Sequence, residues 1–301
     1  MGAMVKRIVF TLSLTSALTL TTRSVSAQPL IEATEDLPFD APESWAMKYY
    51  ASLALLTGMG VPEAMGAGKI DLGFEGGFVP QLSEDQRRVG FGGVKVEDLN
   101  RTSFFGRVRG RIGLSRSASL ELAYLPPIEV DGTKPHMFAV AVGRPFDVGK
   151  SWKVGLRGYG QLGSIQGDIT CSAAEIEEGP NPYDCVAPSE DDLSQRTLGA
   201  EITTGYVSES PLRPYVGLAI NYLDLEFQVD ALHSGVHDRT LQLTDGATVS
   251  LTGGATYAAG DKWRFTGELF YSWLSVVRPP STESTNDGLF NFRFLVSYRI
   301  H

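Results

Sequence analysis

The sequence predicts an all-β protein, an up-and-down transmembrane antiparallel β-barrel of about ten strands preceded by a short N-terminal helix. Three observations predict it. Apolar and polar residues alternate with period two from Lys69 almost to the last residue, the links between these runs are short and long by turns, and aromatic residues cluster on the apolar parity beside the links. The averages alone point elsewhere: 301 residues, 43% hydrophobic, with a mean hydropathy of -0.05, describe an ordinary soluble chain. They exclude a polytopic helical membrane protein, which needs repeated apolar runs of roughly 20 residues. A net charge of -9 and a pI near 5.0 argue against a nucleic-acid partner. Glycine is high, 33 of 301, as many turns or close packing along strands would require.

At the amino end, Lys6 and Arg7 precede the apolar stretch Ile8 to Leu20, and the small residues Val25 and Ala27 follow. This reads as a signal peptide, residues 1–27, cleaved before Gln28 after export through the Sec pathway. Removing Lys6, Arg7 and Arg23 would make the mature charge three units more negative. Residues 28–66 form an acidic leader (Glu32, Glu35, Asp36, Asp40) that runs into a short helix. Asp40 is the expected N-cap, with Pro42 in the first turn and Glu43 at the capping-box position. Trp45, Tyr49, Leu53 and Leu56 share one face, and Gly58 and Gly60 are the expected stop. Such a helix either packs against the main domain or serves as a plug or interfacial clamp.

From residue 67 to 301 the chain reads as barrel. The alternating runs are Ile70–Phe78, Phe104–Leu114, Leu120–Tyr124, Phe138–Val142, Trp152–Ile169, Leu198–Tyr206, Val216–Val229, Leu241–Tyr257, Trp263–Val277 and Phe290–Ile300. Short turns fall at Ser115–Ser117, Asp147–Ser151, Ser208–Pro211 and Ala258–Lys262. Long connections fall at Pro80–Thr102, Pro126–Pro135, Thr170–Ser194, Ala231–Asp238 and Pro279–Gly288. An even strand count with all short links at one end suits an outer-membrane barrel with both barrel ends on the periplasmic side. The seventh run switches apolar parity after Tyr222, which implies a bulge or a change of environment there. Cys171 and Cys185 lie in one long connection and, in an exported chain, are expected to form a disulfide; free thiols or a metal pair are the alternatives.

Aromatics give a separate check. Trp152, Tyr206, Tyr257, Trp263 and Tyr298 sit beside short turns or the carboxyl end, and Tyr124, Tyr222, Tyr271, Trp273 and Phe290 lie toward the opposite ends. These are the two girdles that a lipid-spanning wall carries. The inward parity places Arg107, Arg109, Arg111, Glu121, Lys153, Arg157, Glu201, Arg264, Glu268 and Arg293 in the lumen. Basic residues outnumber acidic ones on that parity. Two outcomes follow: an Arg/Glu network that closes the interior, or a narrow, anion-preferring pore lined by the Arg107–Arg109–Arg111 ladder.

With its alternating final strand Phe290, Phe292, Phe294, Val296, Tyr298 and Ile300, the chain resembles the bacterial outer-membrane β-barrel superfamily. It departs from such strands in ending on His301 where Phe or Trp is usual. The resemblance implies a Gram-negative outer membrane, contact with its lipid and lipopolysaccharide, and recognition by the barrel assembly machinery. It covers a class of protein and carries over no functional residue or cofactor. For catalysis, His233-Ser234 and His237-Asp238 are adjacent pairs that would point to opposite faces of a strand, so no catalytic residue is nominated. The expected role is structural or narrow-pore transport; a lipid or peptide hydrolase and a barrel that binds partners through its external loops are the alternatives.

Overall fold

In the computed structural model, which describes residues 29–300 other than 178 and 180, ten strands close into a barrel. They are β1 (Ile70–Phe78), β2 (Phe104–Gly113), β3 (Ser119–Leu125), β4 (Thr133–Val148), β5 (Trp152–Gly167), β6 (Asp191–Tyr206), β7 (Leu212–Gln228), β8 (Leu241–Ala259), β9 (Trp263–Ser272) and β10 (Leu289–Arg299). Each pairs antiparallel with its neighbours in sequence, and β10 returns to β1 with Arg293 opposite Gly77 and Arg299 opposite Asp71. The proposed signal peptide lies outside the described residues.

The wall is taller on one side. Strands β4 to β8 have 16 to 19 residues, whereas β1, β2, β3, β9 and β10 have 7 to 11, and about 9 to 11 suffice to cross a bilayer. The alternation underestimated β4 and β6, which begin at Thr133 and Asp191 rather than Phe138 and Leu198. The reason is visible on β7. Its register against β6 and β8 runs through Tyr222 without a bulge, so the expected bulge is replaced by the alternative, a change of environment. Tyr222 stays outside at 49% exposure and Leu223 inside at 0%. Below Tyr222 the outward residues are Val216, Leu218 and Ile220; above it they are Asp224, Glu226 and Gln228, while Leu223 and Leu225 fill the inside. The strand leaves lipid at Tyr222 and continues as the wall of a water-facing domain with its own core, so its apolar face changes sides while its pleat does not.

The aromatic girdles are built in pairs. Beside the short turns Trp152 packs on Tyr206 (centroids 5.3 Å) and Trp263 on Tyr298 (4.9 Å); at the other border Tyr271 meets Trp273 (4.8 Å). Between these borders the outer surface is a continuous apolar belt that includes Leu72, Phe74, Val108, Val140, Leu156 and Ile202, all exposed. A belt of this kind, around a closed barrel wall, is the surface that a transmembrane barrel turns to lipid.

Helix α1 (Pro42–Leu53) lies inside the barrel with ten of its twelve residues buried. Ala41, not Asp40, is its N-cap, and no side chain caps it; Pro42 at the first position has no N–H to satisfy. Glu43, expected in a capping box, instead accepts from the backbone N–H of Gly92. The helix ends at Leu53, before the expected glycines.

Residues ahead of α1 lie at the long-loop end. Leu30–Ile31 pair in parallel with Val236–Asp238, and Thr34–Asp36 pair in parallel with the first residues of β8. Strand β9 covers only Ser250–Ala259 of β8, so the leader takes part of the edge that β9 leaves open. After α1 the chain descends the lumen to the opposite end, where the Gly68 and Gly113 backbones meet. The leader therefore crosses the full height of the barrel before β1 begins.

Short turns mark the periplasmic end in barrels of this class, so Leu30→Cys should react with a membrane-impermeant maleimide on intact cells, and Ala67→Cys only after lysis. The reverse pattern would sink this orientation. For the belt, Leu218→Arg should cost about 2–4 kcal/mol of folding free energy in lipid, whereas Gln166→Arg, above the border, should cost no more than about 1 kcal/mol.

Candidate functional site

The inward side chains and the descending leader form one hydrogen-bonded system. Every carbonyl from Ser52 to Gly58 accepts from an arginine of the wall. Arg293 donates to Ser52 O and Leu53 O (3.1 Å each) and to Leu55 O (2.8 Å). Arg107 donates to Ala54 O (2.7 Å) and Leu55 O (3.0 Å). Arg157 takes Leu56 O (2.7 Å), Arg109 takes Thr57 O (2.7 Å) and Arg111 takes Gly58 O (3.3 Å). This explains the early end of α1: its last carbonyls, which would otherwise lack partners, are taken by guanidinium groups, and the chain extends.

Carboxylates hold those arginines in place. Glu75 binds Arg107 and Arg109 (2.7 Å each), Glu121 binds Arg109 and Arg157, and Glu201 binds Arg157 (3.0 Å). Glu201 also accepts from Gly58 N with both oxygens (3.1 and 3.0 Å), and a Cβ on Gly58 would lie 2.7 Å from that carboxylate. Glu268 accepts from Thr57 Oγ1 (2.6 Å) and Tyr215 OH (2.9 Å). Nearer the short-turn end, Glu63 of the leader binds Arg213 and Arg264. Asp71 binds Arg264 (3.3 Å) and Arg299 (2.7 Å). Lys153 stands apart, paired with exposed Asp147 at the rim.

At the upper end the aromatic side chains of α1 reach the long loops. Trp45 Nε1 donates to Asp287 O (2.8 Å), Tyr49 OH to Pro80 O (2.9 Å) and Tyr50 OH to Leu99 O (3.0 Å). Lys48, fully buried, donates to Phe39 O and Ser275 O. The leader is thus tied to the wall at mid-height, to the short-turn end through Glu63, and to the loops above.

Over α1 lies a cavity of about 300 Å³, lined by α1, the loop that joins β1 to β2, and the raised parts of β6 to β8. Its walls include Met47, Tyr50, Leu99, Leu193, Phe227 and Val229. Its charged groups are Glu35, Glu43, Glu97 and Asp238. Phe91, at the loop tip with φ 52°, packs near Tyr183 (5.5 Å) and His233 (6.0 Å).

Cys171 and Cys185 form the disulfide. It braces the segment between β5 and β6 against the small hairpin Ala231–Asp238, since Cys185 bridges to His233 and Val186 N donates to Leu232 O (2.9 Å). On that hairpin His237 Nε2 lies 2.7 Å from Asp230, and His233 Nε2 lies 3.5 Å from Asp238. Ser234 Oγ donates to Tyr183 O rather than to an imidazole.

The expected lumen residues fall into three groups: Arg107, Arg109, Arg111, Glu121, Arg157, Glu201, Glu268 and Arg293 surround the leader; Arg264 joins the Glu63 cluster; Lys153 lies at the rim. Period-two reading does not reveal the acceptors, the carbonyls of 52–58. Their only sequence signal is the surplus of inward arginine over carboxylate, a charge imbalance that asks for further acceptors.

No family model and no curated protein matches the chain. Among solved structures it is similar to the Escherichia coli outer-membrane protease OmpT (12% identity, TM-score 0.37, covering 77% of this chain and 92% of that one). It is also similar to an outer-membrane channel of Pseudomonas putida F1 (10%, 0.44, covering 82% and 100%) and to Ail, the attachment invasion locus protein of Yersinia pestis (10%, 0.32, covering 78% and 99%). At such scores the activities in those names stay with those proteins. The closed wall, its apolar belt and its paired girdles define the class: the chain is an integral outer-membrane β-barrel, here with an occupied lumen.

Arg107→Met should leave Ala54 O without its arginine donor and take one of two arginines from Glu75 and from Leu55 O, and lower stability by about 3–5 kcal/mol in denaturant titrations of the micelle-folded protein. Lys153→Met should change it by less than about 1 kcal/mol. Equal effects would contradict the division of roles.

Proposed function

We propose that this barrel is closed to ions and serves as a structural surface protein, with its lumen given over to holding its own leader and its raised outer end acting as a binding face. The observation that carries the reading is the run of arginine bonds to consecutive carbonyls from Ser52 to Gly58. An anion path needs guanidinium groups free to exchange ligands. Here Arg107 and Arg109 are committed to carboxylates and main chain together, and Arg293 gives its terminal nitrogens to three carbonyls. The ladder Arg107–Arg109–Arg111 therefore reads as a clamp on the leader rather than a selectivity filter.

The binding part of the proposal rests on the wall above Tyr222, the disulfide-braced segment and the cavity, all at the long-loop end. In this reading lipopolysaccharide surrounds the polar collar of Lys134, Arg196 and Glu226, and the barrel assembly machinery reads β10.

Reconstitution into planar bilayers tests the closed state. The expected record is free of conductance steps, while Arg107→Ala/Arg293→Ala, which releases the carbonyls from Ser52 to Leu55, should give intermittent openings. A steady anion current through the unaltered protein would overturn the reading in favour of a pore.

A further inference from the structure

The cavity above the plug combines two features: an apolar, partly aromatic wall and an exclusively acidic set of charged groups. Tyr50, Phe91 and Phe227 supply rings, and Met47, Leu193 and Val229 supply aliphatic surface. Lysine and arginine are absent from the described lining. Glu97 is the telling residue. It is 8% exposed, yet among the described residues only Oε2 has a partner, Lys95 Nζ at 2.7 Å, which leaves Oε1 at the cavity without one. Lys95 is itself spent, since it also donates to Thr170 O and lies 5.2 Å from the Tyr183 ring. Across the cavity Glu43 spends Oε1 on Gly92 N and keeps Oε2. A carboxylate oxygen that faces a cavity and has no donor of its own can accept from a bound ligand.

We propose that this cavity binds a small amphipathic cation, an organic ammonium whose charged head lies between Glu43 and Glu97 and whose apolar body packs on Tyr50, Phe91 and Phe227. A cavity of this size is at the lower end of those that hold small molecules, about 300–1,000 Å³. An ammonium matches both halves of the lining: it donates to carboxylates and is attracted to aromatic faces. An anion would meet four carboxylates, and a bare metal ion would leave the apolar wall unused. The proposal rests on the reading of the outer end as a binding face over a closed lumen.

A pH dependence follows from the surroundings of Glu97. Burial pushes its carboxyl up to about 7; Lys95 on its own loop opposes this, and Asp191 at the head of β6 and Glu175 on the short helix Ala173–Glu177 add to it. The neutral form dominates below that pH and the charged form above it. A cation should therefore bind more tightly as pH rises from 6 to 8.

Calorimetric titration of the intact barrel in nanodiscs, with 4-phenylbutylammonium and with 4-phenylbutyrate, tests the proposal. The ammonium should bind at least about tenfold more tightly, the equivalent of ~1.4 kcal/mol. Glu43→Gln and Glu97→Gln should each weaken it by about tenfold, Phe91→Ala should weaken it as well, and Glu97→Gln should flatten the pH dependence. Thermal unfolding like that of the parent protein shows that these variants are folded. Equal or tighter binding of the carboxylate, or no binding of either probe, overturns the site. Conductance separates the two proposals: a silent barrel that binds neither probe removes the site alone, and a conducting barrel that binds the ammonium removes the closed state alone.

Discussion

Backbone that is neither helical nor in a sheet cannot stay at membrane depth unless every carbonyl and N–H finds a partner within the protein. The segment from Ala54 to Gly58 is such backbone, and the interior of this barrel is organised around satisfying it. Guanidinium suits the task because its planar fork offers five donors, enough to bond carbonyls and carboxylates at once. Arg107 does both, bonding Glu75 on one side and Ala54 and Leu55 on the other. The carboxylates Glu75, Glu121 and Glu201 neutralise part of the charge and fix the forks; carbonyl dipoles take the remainder. The surplus of basic residues on the inward parity is matched by the leader carbonyls that those residues bond.

Much of this was legible in the residues. Period two located all ten strands, because a wall between lipid and a charged interior imposes contrast on every pleat. It also located both aromatic girdles, down to partners such as Trp152 and Tyr206 that stand opposite each other in the register. Where the contrast reverses, the same signal fails. Above Leu198 on β6 and below Phe138 on β4 in sequence, the outer face turns polar, as with Arg196 and His136, and the strand continues while its apolar signature fades. The switch after Tyr222 carried the information, but a bulge and a change of solvent leave the same trace in sequence.

The leader was less legible for a different reason. Its helical face was visible in Trp45 and Tyr49, but its surroundings were not, because its bonds are to residues far along the chain: Arg293 lies 241 positions from Ser52 and Asp287 lies 242 from Trp45. A helix buried all round has no polar face to orient it in sequence. The cavity was invisible for the same reason, since α1, the loop at Phe91 and the tops of β6 to β8 meet only once the wall has closed. Its height comes from five long strands, and its floor from the helix held inside the barrel.

The path of the leader bears on how the molecule can be made. Ten strands alone would bring the first and last barrel residues to one side, and one further passage down the middle leaves Leu30 and Arg299 on opposite sides. A segment carrying Trp45 and Glu63 does not slip through a lumen already packed with arginine and glutamate. The leader must therefore be in place by the time the wall is closed around it. Wall and contents are products of a single assembly event.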